Sequence, residues 1–295
     1  MIHTDLLRFG GKRYFYWSLA LVVGSCVLYS AQRDLGPASG DTWQGYVLGT
    51  VGVLLIVWLS LLAIRKRRYS STLGTVQGWT SAHVYLGTAL LVVATLHCAF
   101  QFGPNVHTLA YALMCLVIGS GLFGLYKYMH VPELMAENRQ GGSRSLLFAE
   151  LFDLDKQTRS AAEHCSPPVQ VAIDSSIERT TIGGGAWAQL FSRDHSMFLR
   201  APRMAASPML AKNADQQAVV AFVADRIPRA DKSEETARLQ PLLLLLSRRQ
   251  VILRRLRRDI RLQAWLKLWL YFHVRLTVAL VVALAIHIAT TFVYR

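Results

Sequence analysis

Four histidines stand out because their spacing repeats. His83 and His97 lie 14 residues apart in one apolar stretch, and His273 and His287 lie 14 apart in another. On an α-helix at about 100° per residue, fourteen steps fall about 40° short of four turns. Each pair therefore projects from one face, separated by about 21 Å along the axis. A neutral imidazole is a good ligand for iron, and an unpartnered ring in hydrocarbon is costly. Two helices that each present one imidazole near either side of a membrane offer what two six-coordinate haems need. We expect His83 to meet His273 at one depth and His97 to meet His287 at the other, as iron ligands of two haem b groups. Singly, a membrane histidine is as often a hydrogen-bonded packing residue; the repeated spacing is what weighs against that here.

For the pairs to meet, the chain must cross a membrane. Of its 295 residues 53% are hydrophobic, and a net charge of +14 is carried in bursts between long apolar runs. The basic residues sit at the ends of those runs and are not interleaved with aromatics, so orientation in a membrane explains them better than nucleic-acid binding. Five segments have the roughly 20 mostly apolar residues a spanning helix needs: 14–30, 44–64, 82–100, 107–129 and 265–293. Arg8, Lys12 and Arg13 precede the first span and Arg65, Lys66, Arg67 and Arg68 follow the second, whereas the loop 31–43 is near neutral. The positive-inside rule then places the N-terminus in the cytoplasm and the C-terminus outside, in a bacterial inner membrane, with the third and fifth spans running the same way. Tyr29-Ser30-Ala31 is a poor cleavage site, so the first span is expected to be retained.

The expected fold class is an all-α integral membrane protein: five transmembrane helices, a di-haem four-helix bundle, and a cytoplasmic insert between helices four and five. The boundaries are 1–130 for the first four helices, 131–263 for the insert and 264–295 for the fifth helix. Gly141-Gly142, Pro167-Pro168, Gly183-Gly184-Gly185 and Pro208 punctuate the insert, leaving short helices at 146–155 and 218–227. From 239 to 263 the pattern is an amphipathic basic helix. Leu253, Leu256 and Ile260 share one face, with Arg254, Arg255, Arg257, Arg258 and Arg261 around it. That helix is expected on the membrane surface before it turns into the fifth span. Trp43, Trp79, Trp265, Trp269 and Tyr294 fit an interfacial aromatic belt.

Other residues carry weaker signals. Gly87 follows His83 by about one turn, and Gly119, Gly121 and Gly124 line helix four. Small residues there let a flat macrocycle approach the backbone, though ordinary helix packing asks for the same residues. Gly45, Gly49 and Gly52 share a face of helix two. Arg275, two residues beyond His273, suits a haem propionate through a bidentate fork, with snorkelling to the headgroups as the alternative; Arg67, Arg68 and Lys267 suit the same role. His107 and His130 flank helix four without a matched pair elsewhere, and read as interfacial residues able to accept a quinol proton. His164, Cys165 and His195 show no metal spacing, and the triple glycine lacks the spacing of a dinucleotide fingerprint. None of Cys26, Cys98, Cys115 and Cys165 forms a Cys-x-x-Cys pair, so zinc, iron–sulfur and covalent haem attachment are unreadable.

The two segments H-VYLGTALLVVATL-H and H-VRLTVALVVALAI-H resemble those of di-haem b-type transmembrane cytochromes. They are similar to the membrane domain of the ferric reductase and NADPH oxidase family and, in architecture, to cytochrome b of bc-type complexes. The resemblance covers helices two to five and is specific for haem ligation, not substrate. It implies electron transfer across the bilayer by two haems, with quinone or quinol as exchange partner. The departures are informative. No flavin or nicotinamide motif is found, so the chain is not expected to take hydride from a nicotinamide unaided, and a separate flavoprotein would have to supply the electrons. The quinol-site Pro-Glu-Trp-Tyr motif is missing, because Pro132-Glu133 continues as Leu134-Met135. The leading expectation is the cytochrome b subunit of a respiratory quinol/quinone oxidoreductase complex, partnered by a cytochrome c or iron–sulfur protein, with the insert docking a partner. The alternatives are a membrane reductase of a metal ion or oxygen, and a cofactor-free transporter, sensor or assembly factor.

Overall fold

The computed structural model describes residues 5–33, 40–68, 72–191, 193–200, 208–227 and 233–293; Tyr294 of the expected aromatic belt lies outside them. In chain order the elements are α1 (Asp5–Arg33), α2 (Trp43–Arg67), α3 (Val76–His97), α4 (Val106–Arg139), α5 (Arg144–Glu163), α6 (Pro167–Glu178), α7 (Ala186–Phe191), β1 (Met197–Arg200), β2 (Met209–Lys212), α8 (Gln217–Ala224) and α9 (Ser233–Val293), with a 3-10 turn before α8. Among the described residues five helices are long and apolar enough to cross a membrane. The chain is an all-α membrane protein apart from one small hairpin. It divides into two compact units, Met1–Met129 with Leu268–Arg295, and His130–Lys267.

In the first unit, local chemistry sets the helix ends. Thr42 and Thr75 cap α2 and α3, their hydroxyls accepting from the Gly45 and Gly78 amides at 3.2 and 3.1 Å. Within α1 the helix breaks at Phe9 to Lys12, where Gly10 and Gly11 adopt φ of 56° and 69°. α3 ends at His97, three residues earlier than the hydropathy suggests, because Ala99 and Phe100 turn into the left-handed region at φ of 48° and 59°. The core of this unit is built from one residue of each of four helices: Ile56 of α2, Leu90 of α3, Met114 of α4 and Leu280 of α9, all buried together. α1 lies outside that bundle and rests on α3, where Ser18 donates to the Tyr85 carbonyl and Tyr85 donates to that of Leu7, each at 2.9 Å. Apolar side chains face outward: Leu54, Val57, Leu116 and Val278 are more than half exposed, a surface that lipid covers and water would not.

The second unit has its own core. Val169 and Ile173 of α6, Phe198 of β1, Val219 and Val223 of α8, and Leu242 and Leu246 of α9 are fully buried in one cluster. The sequence signals miss α6, since Pro167-Pro168 reads as a loop; the prolines occupy its first turn, where their missing amides cost nothing. β1 and β2 pair antiparallel, Met197 opposite Lys212. The apolar face of the basic helix packs on protein. Leu253 and Leu256 are wholly buried against Leu147, Leu151 and Leu154 of α5, so a protein surface already covers the apolar face. The helix does not turn before the fifth span, since α9 is continuous from Ser233 to Val293.

Buried charges in this unit are paired. Arg249, with 1% of its side chain exposed, donates to Asp155 at 2.5 Å, to Gln216 at 2.8 Å and to Thr180 at 2.9 Å. Asp194 accepts from the Ser196 and Asp215 amides and pairs with Arg257 at 2.9 Å. Burial works against the charge of Asp194, but its hydrogen bonds to Ser196, the Asp215 amide and the Arg257 charge prevail and hold the carboxyl below its ordinary value of 3.8. A carboxyl depressed on folding stabilises the fold above its unfolded value and stops doing so as pH falls through the folded one. Thermal unfolding of the purified chain should therefore show a midpoint that is level near neutrality and drops below about pH 4. Asp194→Asn should start lower and lose part of that acid slope; an unchanged slope would show that this carboxyl carries none of it.

Candidate functional site

All four expected ligands lie in the first unit, on α3 and α9, and backbone or hydroxyl oxygens orient three of them. His83 Nδ1 lies 3.2 Å from the Leu59 carbonyl and His97 Nδ1 lies 2.8 Å from that of Gly45. A carbonyl only accepts, so both rings carry their proton on Nδ1. His273 Nδ1 lies 2.8 Å from Ser120 Oγ, whose own proton goes to the Val117 carbonyl at 2.8 Å. That oxygen must then accept, and His273 too is protonated on Nδ1. In all three rings the Nε2 lone pair is left free, the arrangement by which a second shell fixes tautomer and orientation of metal-binding histidines.

At the His83 end, His83 and His273 are within electrostatic range of each other. Gly121 sits under the His273 ring, a Cβ there lying 3.5 Å from Cε1. Trp269 donates from Nε1 to the Ser120 carbonyl at 2.7 Å and packs where Gly124 leaves room; a Cβ on Gly124 would fall 1.9 Å from the indole. Trp269 thus packs the ligand helix α9 against α4. Beside Gly87 a Cβ would meet nothing within 4 Å, so the backbone there borders open space. Arg275 is exposed and its guanidinium lies 3.4 Å over the Tyr271 ring.

The His97 end differs from expectation. His97 and His287 face each other with ring centroids 6.3 Å apart, but His107 joins them, 5.5 Å from His97 and 4.9 Å from His287. Ligand nitrogens of all three lie within 4.8 Å of one another. His107, which has no matched pair by sequence spacing, thus finds its partners on α3 and α9. The signal that could have found it is the tight turn between α3 and α4, which returns the chain to the same end ten residues after His97. An apolar cavity of about 300 Å³ adjoins the three rings, with Ile56, Leu90, Met114, Leu280 and Leu284 in its walls. The small-residue face of α2 seats the His97 ring: a Cβ on Gly49 would stand 2.8 Å from its Cε1. His130, His164 and His195 are exposed and stand in no described metal-ligand group.

Two axial imidazoles per haem are the donor set that bis-histidine ligation requires. The His83 end supplies that donor type in two half-buried rings whose Nδ1 atoms are engaged by Leu59 and Ser120. At the His97 end the pair alone is suitably placed, but the three centroid distances put the His107 ring about 4 Å from the midpoint between its neighbours. A macrocycle centred there needs that space, so haem does not fit this end until His107 turns away. Comparison with protein-family models, curated proteins and solved structures finds no match to this chain, and the site's geometry alone carries its interpretation.

Proposed function

We propose that the chain transfers electrons across the membrane as the cytochrome b subunit of a quinol/quinone oxidoreductase complex. One haem b would be held by His83 and His273, and a second by His97 and His287 once His107 moves out. The observation that supports this most is the fixed tautomer of His83, His97 and His273, which presents a free Nε2 from each anchored ring. Haem when bound supplies one-electron chemistry, which the side chains here cannot. The chain's own residues do the rest. The Leu59 and Gly45 carbonyls and Ser120 orient the imidazoles, glycines give them room, and the apolar walls exclude water. The basic run Arg65 to Arg68 at one end of α2 supports, by the positive-inside rule, an N-terminus on the cytoplasmic side, in what we take to be a bacterial inner membrane. Quinone, and a cytochrome c or iron–sulfur partner, follow from architecture.

A second reading, a membrane reductase of a metal ion or oxygen fed by a separate flavoprotein, is supported by the cavity beside His97, His107 and His287. The deciding measurement is a reduced-minus-oxidised spectrum of the purified chain with pyridine haemochrome quantification. About two b haems per chain are expected. A chain purified from haem-replete cells without porphyrin would overturn both readings and leave the cofactor-free transporter, sensor or assembly factor.

A further inference from the structure

The third imidazole at the His97 end makes that end chemically unlike the other. Three helix ends converge there: the last residue of α3, the second residue of α4, and a position near the end of α9. Their ligand nitrogens lie within 4.8 Å of one another, so an ion at the centre of the triangle would be no more than about 2.8 Å from each. Side-chain rotations of under about 1 Å bring that to the 2.0–2.1 Å of a zinc–imidazole bond. His97 already has Nδ1 tied to the Gly45 carbonyl, which leaves Nε2 as the ligand atom. The three rings are half-buried beside an apolar cavity, where a fourth coordination position would open.

We infer that His97, His107 and His287 form a site for one divalent first-row transition-metal ion of the zinc, cobalt or copper class, bound through three neutral imidazoles. Two of these ligands are the ones a porphyrin would use, and the third occupies the porphyrin's space. Metal and haem therefore compete for this end of the bundle, and His107 favours the metal. The inference stands whether or not the haem reading holds, because it needs only the three rings.

The test uses the full chain in detergent, produced without a haem supply and titrated with Co²⁺, whose visible absorption reports imidazole coordination. One Co²⁺ per chain is expected, displaced by Zn²⁺. His107→Ala should weaken binding about tenfold or more, while His164→Ala, which removes an exposed ring outside the cluster, should leave it unchanged and so controls for general damage. When haem is then supplied, His107→Ala should take up at least as much as the parent chain, since removing the ring clears the macrocycle's space; Co²⁺ should lower uptake by the parent by about one haem per chain, that of the His97 end. No cobalt spectrum, or one indifferent to His107→Ala, would overturn the site. Absence of haem from every sample would overturn only the haem reading.

Discussion

Replacing His273 with alanine is expected to lower haem content from about two per chain to about one, with the bundle still folded. The side chain removed is half-buried and makes one polar contact, to Ser120, whereas the packing of this unit rests on Ile56, Leu90, Met114 and Leu280. The remaining imidazole of the pair, His83, keeps its hydrogen bond to Leu59, but a haem bound between the two helices would lose one of its two axial ligands and its tie to α9. Ser120→Ala is the graded companion: it leaves both ligands in place and releases the ring of His273, for which outer-shell losses suggest about ten- to a hundredfold weaker retention. Haemochrome quantification of the purified variants reads both effects. Two haems retained in His273→Ala would remove this end from the proposal.

The second large effect lies in the other unit. Asp259 has no exposed side-chain surface and accepts two bonds from Arg139, at 2.6 and 3.0 Å, and one from Arg144 Nε at 2.6 Å. Burial opposes its charge, but the bonds from the two guanidinium groups and their charges outweigh it and hold the carboxyl below its ordinary value. Asp259→Ala leaves two partly buried cations facing each other without their common anion. Breaking such a pair costs on the order of 3–5 kcal/mol, a drop in unfolding temperature of about 10 °C for a unit of this size. Asp259→Asn, which keeps an acceptor, should lose less. A midpoint within about 2 °C of the parent for the alanine variant would mean the cations find water instead.

Much of the first unit was legible because lipid imposes a simple rule: runs of about 20 apolar residues bounded by charge. The five spans follow from it, and the repeated histidine interval is visible directly within two of them. The turn after His97 was hidden, since Cys98, Ala99 and Phe100 are apolar enough to extend the helix on paper, and with it went the placement of His107. The insert was less readable, because its elements are held by contacts distant in sequence. α5 covers the leucines of α9 about a hundred residues later in the chain, and a hydrophobic stripe alone does not say whether lipid or protein will cover it. Trp269 and Trp79 share a residue type and a place near a span's end, yet Trp269 packs into the gap left by Gly124 while Trp79 stacks on Trp58 at 5.0 Å.

The carbonyls that orient the two α3 histidines, Gly45 and Leu59, are themselves 14 residues apart on α2, the same interval as His83 to His97. α2 therefore works as a ruler laid antiparallel to the ligand helix. Adding or deleting one residue between those marks would swing one anchor about 100° around its axis while the other stayed put, releasing one imidazole of the two. Evolution can alter the side chains along this stretch, and the loops at either end, far more freely than it can alter the stretch's length.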